Sequence, residues 1–213
     1  MGDKSNRRRF IKKSAIISLA GTSSIGSVIS KPNEVNHEKK IDLLRFAVAS
    51  DGHFGQPSTA YKMYHRNIVE WLNEEVDNQG LDFCVFNGDI IHDKPEFLPE
   101  AKKYFSKLQV PYYTTRGNHD RVTADVWKAT FGIDENHYFE SGQSAFILCN
   151  TSNEAGEYLC ADTTFLENAL EKNKDKLSVF VFIHISQKKW VDNGIACPKV
   201  TNLLESYANV AAI

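Results

Sequence analysis

Apolar residues in this chain come in short dense runs, each of which stops at polar side chains. Four such runs, Leu43 to Ala49, Leu81 to Phe86, Val110 to Thr115 and Leu177 to Ile183, have the length and β-branched or aromatic content of buried strands. Between the first two, Tyr61, Tyr64, Ile68, Trp71, Leu72 and Val76 recur at helical spacing, which predicts an amphipathic helix over 61–76 with these side chains in the core and His65 at the surface. Ala101, Tyr104 and Leu108 are in phase within Phe97 to Leu108 and predict a second helix, and Ala124 to Thr130 a short third one ending at Phe131-Gly132. Tyr138 to Asn150 alternates around a turn as a hairpin does, with His137 beside it as a structural residue. Thr164 and Glu167 form a capping box that opens a helix running through Leu170.

The strand tips carry the chemistry. The first run ends in Ser50-Asp51-Gly52-His53, the second in Asn87-Gly88-Asp89, the third in Arg116-Gly117-Asn118-His119-Asp120 and the fourth in His184. Each is ordinary alone: Gly-Asn-His-Asp is a common polar turn, and Asp51 and His53 read equally as a cap and a surface imidazole. The order strand, helix, strand is a βαβ unit, which brings Asp89 beside Asp51 at one edge of a parallel sheet. Two carboxylates converging there repel each other unless cations lie between them.

Taken together, the four tips resemble the blocks of the calcineurin-like metallophosphoesterases, over residues 43–213. The run Tyr138 to Asn150 is similar to a further block of that family. The resemblance implies an α/β fold, a four-layer sandwich of two mixed β-sheets flanked by helices. It also implies a dinuclear centre in which Asp51 and His53 hold one metal, Asn118 and His184 the other, and Asp89 bridges both. His119, held by Asp120, would protonate the leaving group as metal-bound hydroxide hydrolyses a phosphomonoester or phosphodiester. Mixed nitrogen and oxygen ligands without thiolate suit Fe, Mn or Zn. A metal-free binding or scaffold protein of the same fold is the alternative; five retained ligands and His119 argue for the enzyme.

Two departures from the family pattern stand out. In Ile90-Ile91-His92-Asp93 the acid falls one residue late, so His92 and Asp93 are left without a role. No histidine follows His184. The family's last block, G-H-x-H, is therefore missing, and the expectation is of a chain that stops just short of it and is not a competent enzyme as 213 residues.

Charge changes the picture only at the amino terminus. Lys4, Arg7, Arg8, Arg9, Lys12 and Lys13 precede a modestly apolar stretch from Ala15, and Asn6 to Lys12 resembles a twin-arginine export signal. The expected organisation is a signal over 1–30, a polar linker over 31–41 and the metallophosphoesterase domain over 42–213. That implies recognition by the twin-arginine export machinery and a periplasmic or extracellular location. The stretch after Ala15 is too short and too diluted by Ser and Gly to be a stable membrane span. The whole chain carries 25 Lys+Arg against 27 Asp+Glu; without residues 1–30, six basic and one acidic residue go and the body has a net charge of −7. An acidic body argues against nucleic acid as substrate. Gln56 to Ala60 and Gln187 to Lys199 are the loops expected to choose the substrate. Cys84 and Cys149 fall in strands as small core residues; Cys160 and Cys197 fall in loops of an exported protein and could pair, but the sequence does not show their separation, and the expectation leans to the unpaired state.

Overall fold

A computed structural model describes residues 43–212, so the expected export signal and linker lie outside the described residues. The first half builds a parallel sheet in the order β1 (Phe46–Ala49), β2 (Phe83–Asn87), β3 (Tyr112–Thr115). The second builds a mixed sheet in the order β4 (His137–Ser141), β5 (Ser144–Cys149), β6 (Ser178–Ile183), β7 (Val210–Ala212). In it β4 and β5 are the antiparallel hairpin, and β5, β6 and β7 run parallel. Helices α1 (Tyr61–Gln79), α2 (Leu98–Phe105) and α3 (Ala124–Phe131) accompany the first sheet, α4 (Thr163–Lys172) and α5 (Pro198–Ser206) the second. Among the described residues no helix is long and apolar enough to cross a membrane.

The alternation of side chains along two central strands makes the layers. On β2, Cys84 and Phe86 face Val69, Leu72, Ala101 and Phe105 of the helices, while Phe83 and Val85 point the other way. On β5, Ala145, Ile147 and Cys149 meet Leu166, Ala169 and Leu170 of α4, while Phe146 and Leu148 turn inward to join Phe83 and Val85. Phe46 lies in this middle layer, parallel to Phe83 at 5.3 Å and edge-on to Phe146 at 5.2 Å. The result is helix, sheet, sheet, helix, the expected four layers.

Several local expectations shift. In α1 the buried residues are His65, Val69 and Leu72, while Tyr64 and Trp71 are 55% and 59% exposed. The buried stripe is thus rotated by about one position, since the amphipathic Tyr and Trp rings tolerate a wet boundary better than the aliphatic Val69 does. His65 is in the core because its Nδ1 donates to Tyr61 O at 2.9 Å, leaving an apolar ring face against Phe54. A short 3-10 turn, Pro95–Phe97, precedes α2, which ends at Phe105 rather than Leu108. The cap of α4 is Asp162, which accepts from Thr164 N and Phe165 N, instead of Thr164 with Glu167.

Cys160 and Cys197 are disulfide-bonded, with Cα atoms 5.6 Å apart, so taking them as unpaired is wrong. The reason lies in Gln187. Its Oε1 accepts from Ala161 N at 2.9 Å, its Nε2 donates to Ile185 O at 2.9 Å, and its backbone oxygen accepts from Cys197 N at 3.0 Å. One glutamine therefore draws together two loops 37 residues apart.

Candidate metal centre and acid site

The tips of β1, β2 and β3 are joined by backbone hydrogen bonds before any side chain is considered. Asp51 N donates to Gly88 O, His53 N to Asp89 O at 2.8 Å, Phe54 N to Ile90 O at 2.8 Å, and Asp93 N to His119 O at 2.9 Å. The turns are strained. Asp51, His53, Asp89, Asp93 and Arg121 all have φ between 42° and 60°, a region that costs a non-glycine residue roughly 1–3 kcal/mol. Of the described residues only Ser58 shares this trait elsewhere, and such strain collects where side chains must be aimed.

What it aims is a ring of nitrogen and oxygen donor atoms around Asp89. This carboxylate is 3% exposed. Its Oδ2 lies 3.2 Å from His184 Nε2 and 3.6 Å from His53 Nε2, and its Oδ1 accepts from His119 N at 2.8 Å. His53 Nε2 is 3.8 Å from Asp51 Oδ1, and Ser50 Oγ donates to Asp51 Oδ2 at 2.5 Å. His184 arrives from the other sheet at the end of β6, its Nδ1 donating to Asn87 O at 2.8 Å and its Nε2 left toward Asp89. Asn118 is carried on the β3 turn, half-buried, and its backbone oxygen faces Gly156. Two side chains bound to one cation at about 2.1 Å in tetrahedral directions stand roughly 3.4 Å apart, so the separations around Asp89 suit shared cations, and the oxygen and imidazole donors match their chemistry.

Space at the site is as tight as the backbone. A Cβ on Gly88 would fall 2.4 Å from His184 Nδ1, and one on Gly117 would fall 2.3 Å from both the nitrogen and Oδ1 of Asp89. Burial opposes the charge on Asp89, but the hydrogen bonds and charges of His184 and His119 together outweigh it and hold its pKa below the usual carboxylate value. Burial works against the His184 cation too, yet Asp89 raises its pKa. His53 is lowered by burial.

One expected role moves. His119 Nδ1 is 2.9 Å from Asp93 Oδ1, which also accepts from Arg121 Nε at 3.0 Å; Asp120 does not hold His119. Asp120 turns inward, fully buried, where Oδ1 accepts from Ile91 N at 2.9 Å and Oδ2 from Gly117 N at 2.7 Å. Its task is to tie the β2 turn to the β3 turn. Burial pushes its pKa up to about 7, against the pull of those two N–H groups. Successive side chains in a tight turn diverge, so a neighbour in sequence is a poor guide to the partner in space. The acid of Ile90-Ile91-His92-Asp93, one residue late, was the available signal for Asp93.

Arg116, just before the turn, was not singled out at all. It is 4% exposed and donates to Val122 O and to Ser152 O at 2.7 Å, with Glu135 Oε2 at 2.9 Å. It thereby fastens the β3 tip to the loops of the second sheet. Of the loops expected to choose the substrate, the one from Gln187 lines a cavity of about 270 Å³ beside His184, with Lys188, Trp190 and Thr201 in its wall.

A family model described as calcineurin-like phosphoesterase matches residues 44–199. Comparison with curated proteins finds no match. Among solved structures the chain is similar to a dimetal phosphatase from Danio rerio, with a TM-score of 0.62 and 14% identity, over 78% of this chain and 79% of that one. At that identity the likeness speaks for the fold.

Proposed function

The chain belongs to the calcineurin-like phosphoesterase family, a family of metal-dependent phosphoester hydrolases, and from that premise we propose a dinuclear site centred on Asp89 that cleaves a phosphomonoester or phosphodiester. The observation that carries the reading is the position of Asp89 Oδ2 between His53 Nε2 and His184 Nε2, each on a different sheet. Asp51 and His53 would hold one ion, Asn118 and His184 the other, and Asp89 would serve both. Bound there, Fe, Mn or Zn ions supply Lewis-acid activation of water and of the phosphoryl oxygens.

The remaining work falls to the chain. His119 Nδ1 donates to Asp93, which places the other ring nitrogen, Nε2, free to carry a proton to the departing oxygen. Arg121 shares Asp93 and limits its swing. Asp120 and Arg116 keep the turn rigid, so His119 and Asn118 meet the substrate in a fixed register.

We further propose that the protein is exported through the twin-arginine machinery to the periplasm or beyond. The amino-terminal pattern motivates this, and the Cys160–Cys197 disulfide supports an oxidising compartment. The functional test takes a chain that carries the G-H-x-H block, strips it with a chelator, restores Mn²⁺, Zn²⁺ or Fe²⁺ in turn, and measures p-nitrophenyl phosphate against bis(p-nitrophenyl) phosphate. Hydrolysis should vanish with the metal and return with it. Metal-independent turnover would end the proposal.

A further inference from the structure

We propose that His92 is a positioning residue that sets the tautomer of His53, and that the turn His92-Asp93 therefore orients two imidazoles at once, His53 through His92 and His119 through Asp93. This rests on the reading of His53 as a metal ligand. His53 Nδ1 and His92 Nδ1 are 3.2 Å apart, while His53 Nε2, at the opposite edge of the ring, faces Asp51 Oδ1 and Asp89 Oδ2. A neutral imidazole carries one N–H, so a hydrogen bond between two Nδ1 atoms requires one donor and one bare acceptor. For Nε2 of His53 to offer a lone pair to a cation, its proton must sit on Nδ1 and be donated to His92.

Asp93 favours that assignment. His92 Nε2 is 3.8 Å from Asp93 Oδ2, beyond hydrogen-bond reach but close enough for the carboxylate charge to favour the proton of His92 on Nε2 and leave Nδ1 bare. The proton order then reads from Asp93 to His92 to His53 and ends at a free ligand nitrogen. Histidine ligands generally owe their orientation to such a partner, and losing it costs metal affinity.

The juxtaposition is built into the backbone. Phe54 and Ile91 form an isolated parallel bridge, His92 N donates to Phe54 O at 3.0 Å, and Asp93 holds a left-handed φ of 60°. The His92 ring also stacks on His119, with centroids 5.0 Å apart and planes 9° from parallel. Phenylalanine at 92 would keep that stack and remove the acceptor; asparagine would put an oxygen near the place of Nδ1.

The test measures Zn²⁺ binding by calorimetry for the wild type, His92→Phe, His92→Asn and His53→Ala, with circular dichroism to confirm folding. The affinity of one site should fall about 10- to 100-fold in His92→Phe and recover most of the way in His92→Asn. His53→Ala should lose that site outright. Unchanged affinity in His92→Phe beside loss in His53→Ala overturns the role of His92 and leaves the metal site standing; wild-type affinity in His53→Ala overturns both. Long-range ¹H–¹⁵N spectra of the Zn²⁺-loaded wild type read the same claim without a variant. They should show His53 protonated at Nδ1, and protonation at Nε2 would refute the proposal.

Discussion

Gly117→Ala is the most economical perturbation of the site, because it adds one methyl group and removes no ligand. The new Cβ would stand 2.3 Å from the backbone nitrogen of Asp89 and 2.3 Å from its Oδ1, about 1 Å short of ordinary contact, which begins near 3.4 Å. Neither atom is the free end of a flexible side chain. Asp89 N is backbone, and Oδ1 is held by His119 N at 2.8 Å. The strand tips must therefore part by roughly 1 Å, at an overpacking cost of about 1–3 kcal/mol. A displacement of that size at reacting groups slows turnover about 100-fold. The assay pairs urea unfolding with metal affinity and turnover at saturating metal. Gly132→Ala is the control. Gly132 caps α3 at φ 77° with nothing within 4 Å of its Cβ, so it should lose about 1 kcal/mol and no activity. If Gly117→Ala keeps wild-type turnover and affinity, the packing argument is wrong.

His119→Ala should retain metal and slow alkyl phosphates by about 100- to 10,000-fold, with a smaller loss on p-nitrophenyl esters, whose leaving group needs no proton; Asp93→Asn should follow the same order, and equal losses for both substrate types would exclude a general acid. Replacing both Cys160 and Cys197 by serine removes a cross-link between residues 37 apart, and chain entropy puts the loss near 4 kcal/mol; urea unfolding should show it, and an unchanged midpoint would mean that the Gln187 contacts suffice alone. His137 predicts a pH effect. Burial lowers its pKa, its Nδ1 donates to Asp134 O, and its Nε2 has no partner. The unfolded chain therefore takes up the proton first, so stability is full above about pH 6.5 and is lost as pH falls below it. The unfolding midpoint should drop more between pH 7.5 and 5 in the wild type than in His137→Phe, and equal drops would place the acid sensitivity elsewhere.

What was legible in the sequence follows a physical division. Strand ends could be read because a buried parallel strand must be apolar and must stop where polar side chains begin, which places Asp51, His53, Asp89, Asn118 and His184 at strand tips, while the roles proposed for them came from the family resemblance. The sheet pairing that gathers Asp89 with Asp51 follows from βαβ handedness. The sandwich itself needed the family resemblance, since nothing in the run Ser178 to Ile183 says which strand it will pair with. The late acid of Ile90-Ile91-His92-Asp93 hinted at a role for Asp93, but its pairing with His119, 26 residues away, depends on a left-handed turn at Asp93 that only the folded backbone displays. Cys160 with Cys197 hinges on a single glutamine side chain, and the buried face of α1 on a rotation of one position that the aromatic stripe at Tyr64 and Trp71 conceals.

The central claim is that Asp89 is the shared anion of two metal ions. Asp89→Asn keeps the shape of the side chain and removes its charge. Calorimetric titration with Zn²⁺ alongside turnover of p-nitrophenyl phosphate tests that claim directly. In a chain that carries the G-H-x-H block, the wild type should take up two ions and hydrolyse the ester in proportion to occupancy, while Asp89→Asn should stay folded by circular dichroism, bind both ions far more weakly and lose turnover. Two tightly bound ions with undiminished hydrolysis in Asp89→Asn would contradict the account.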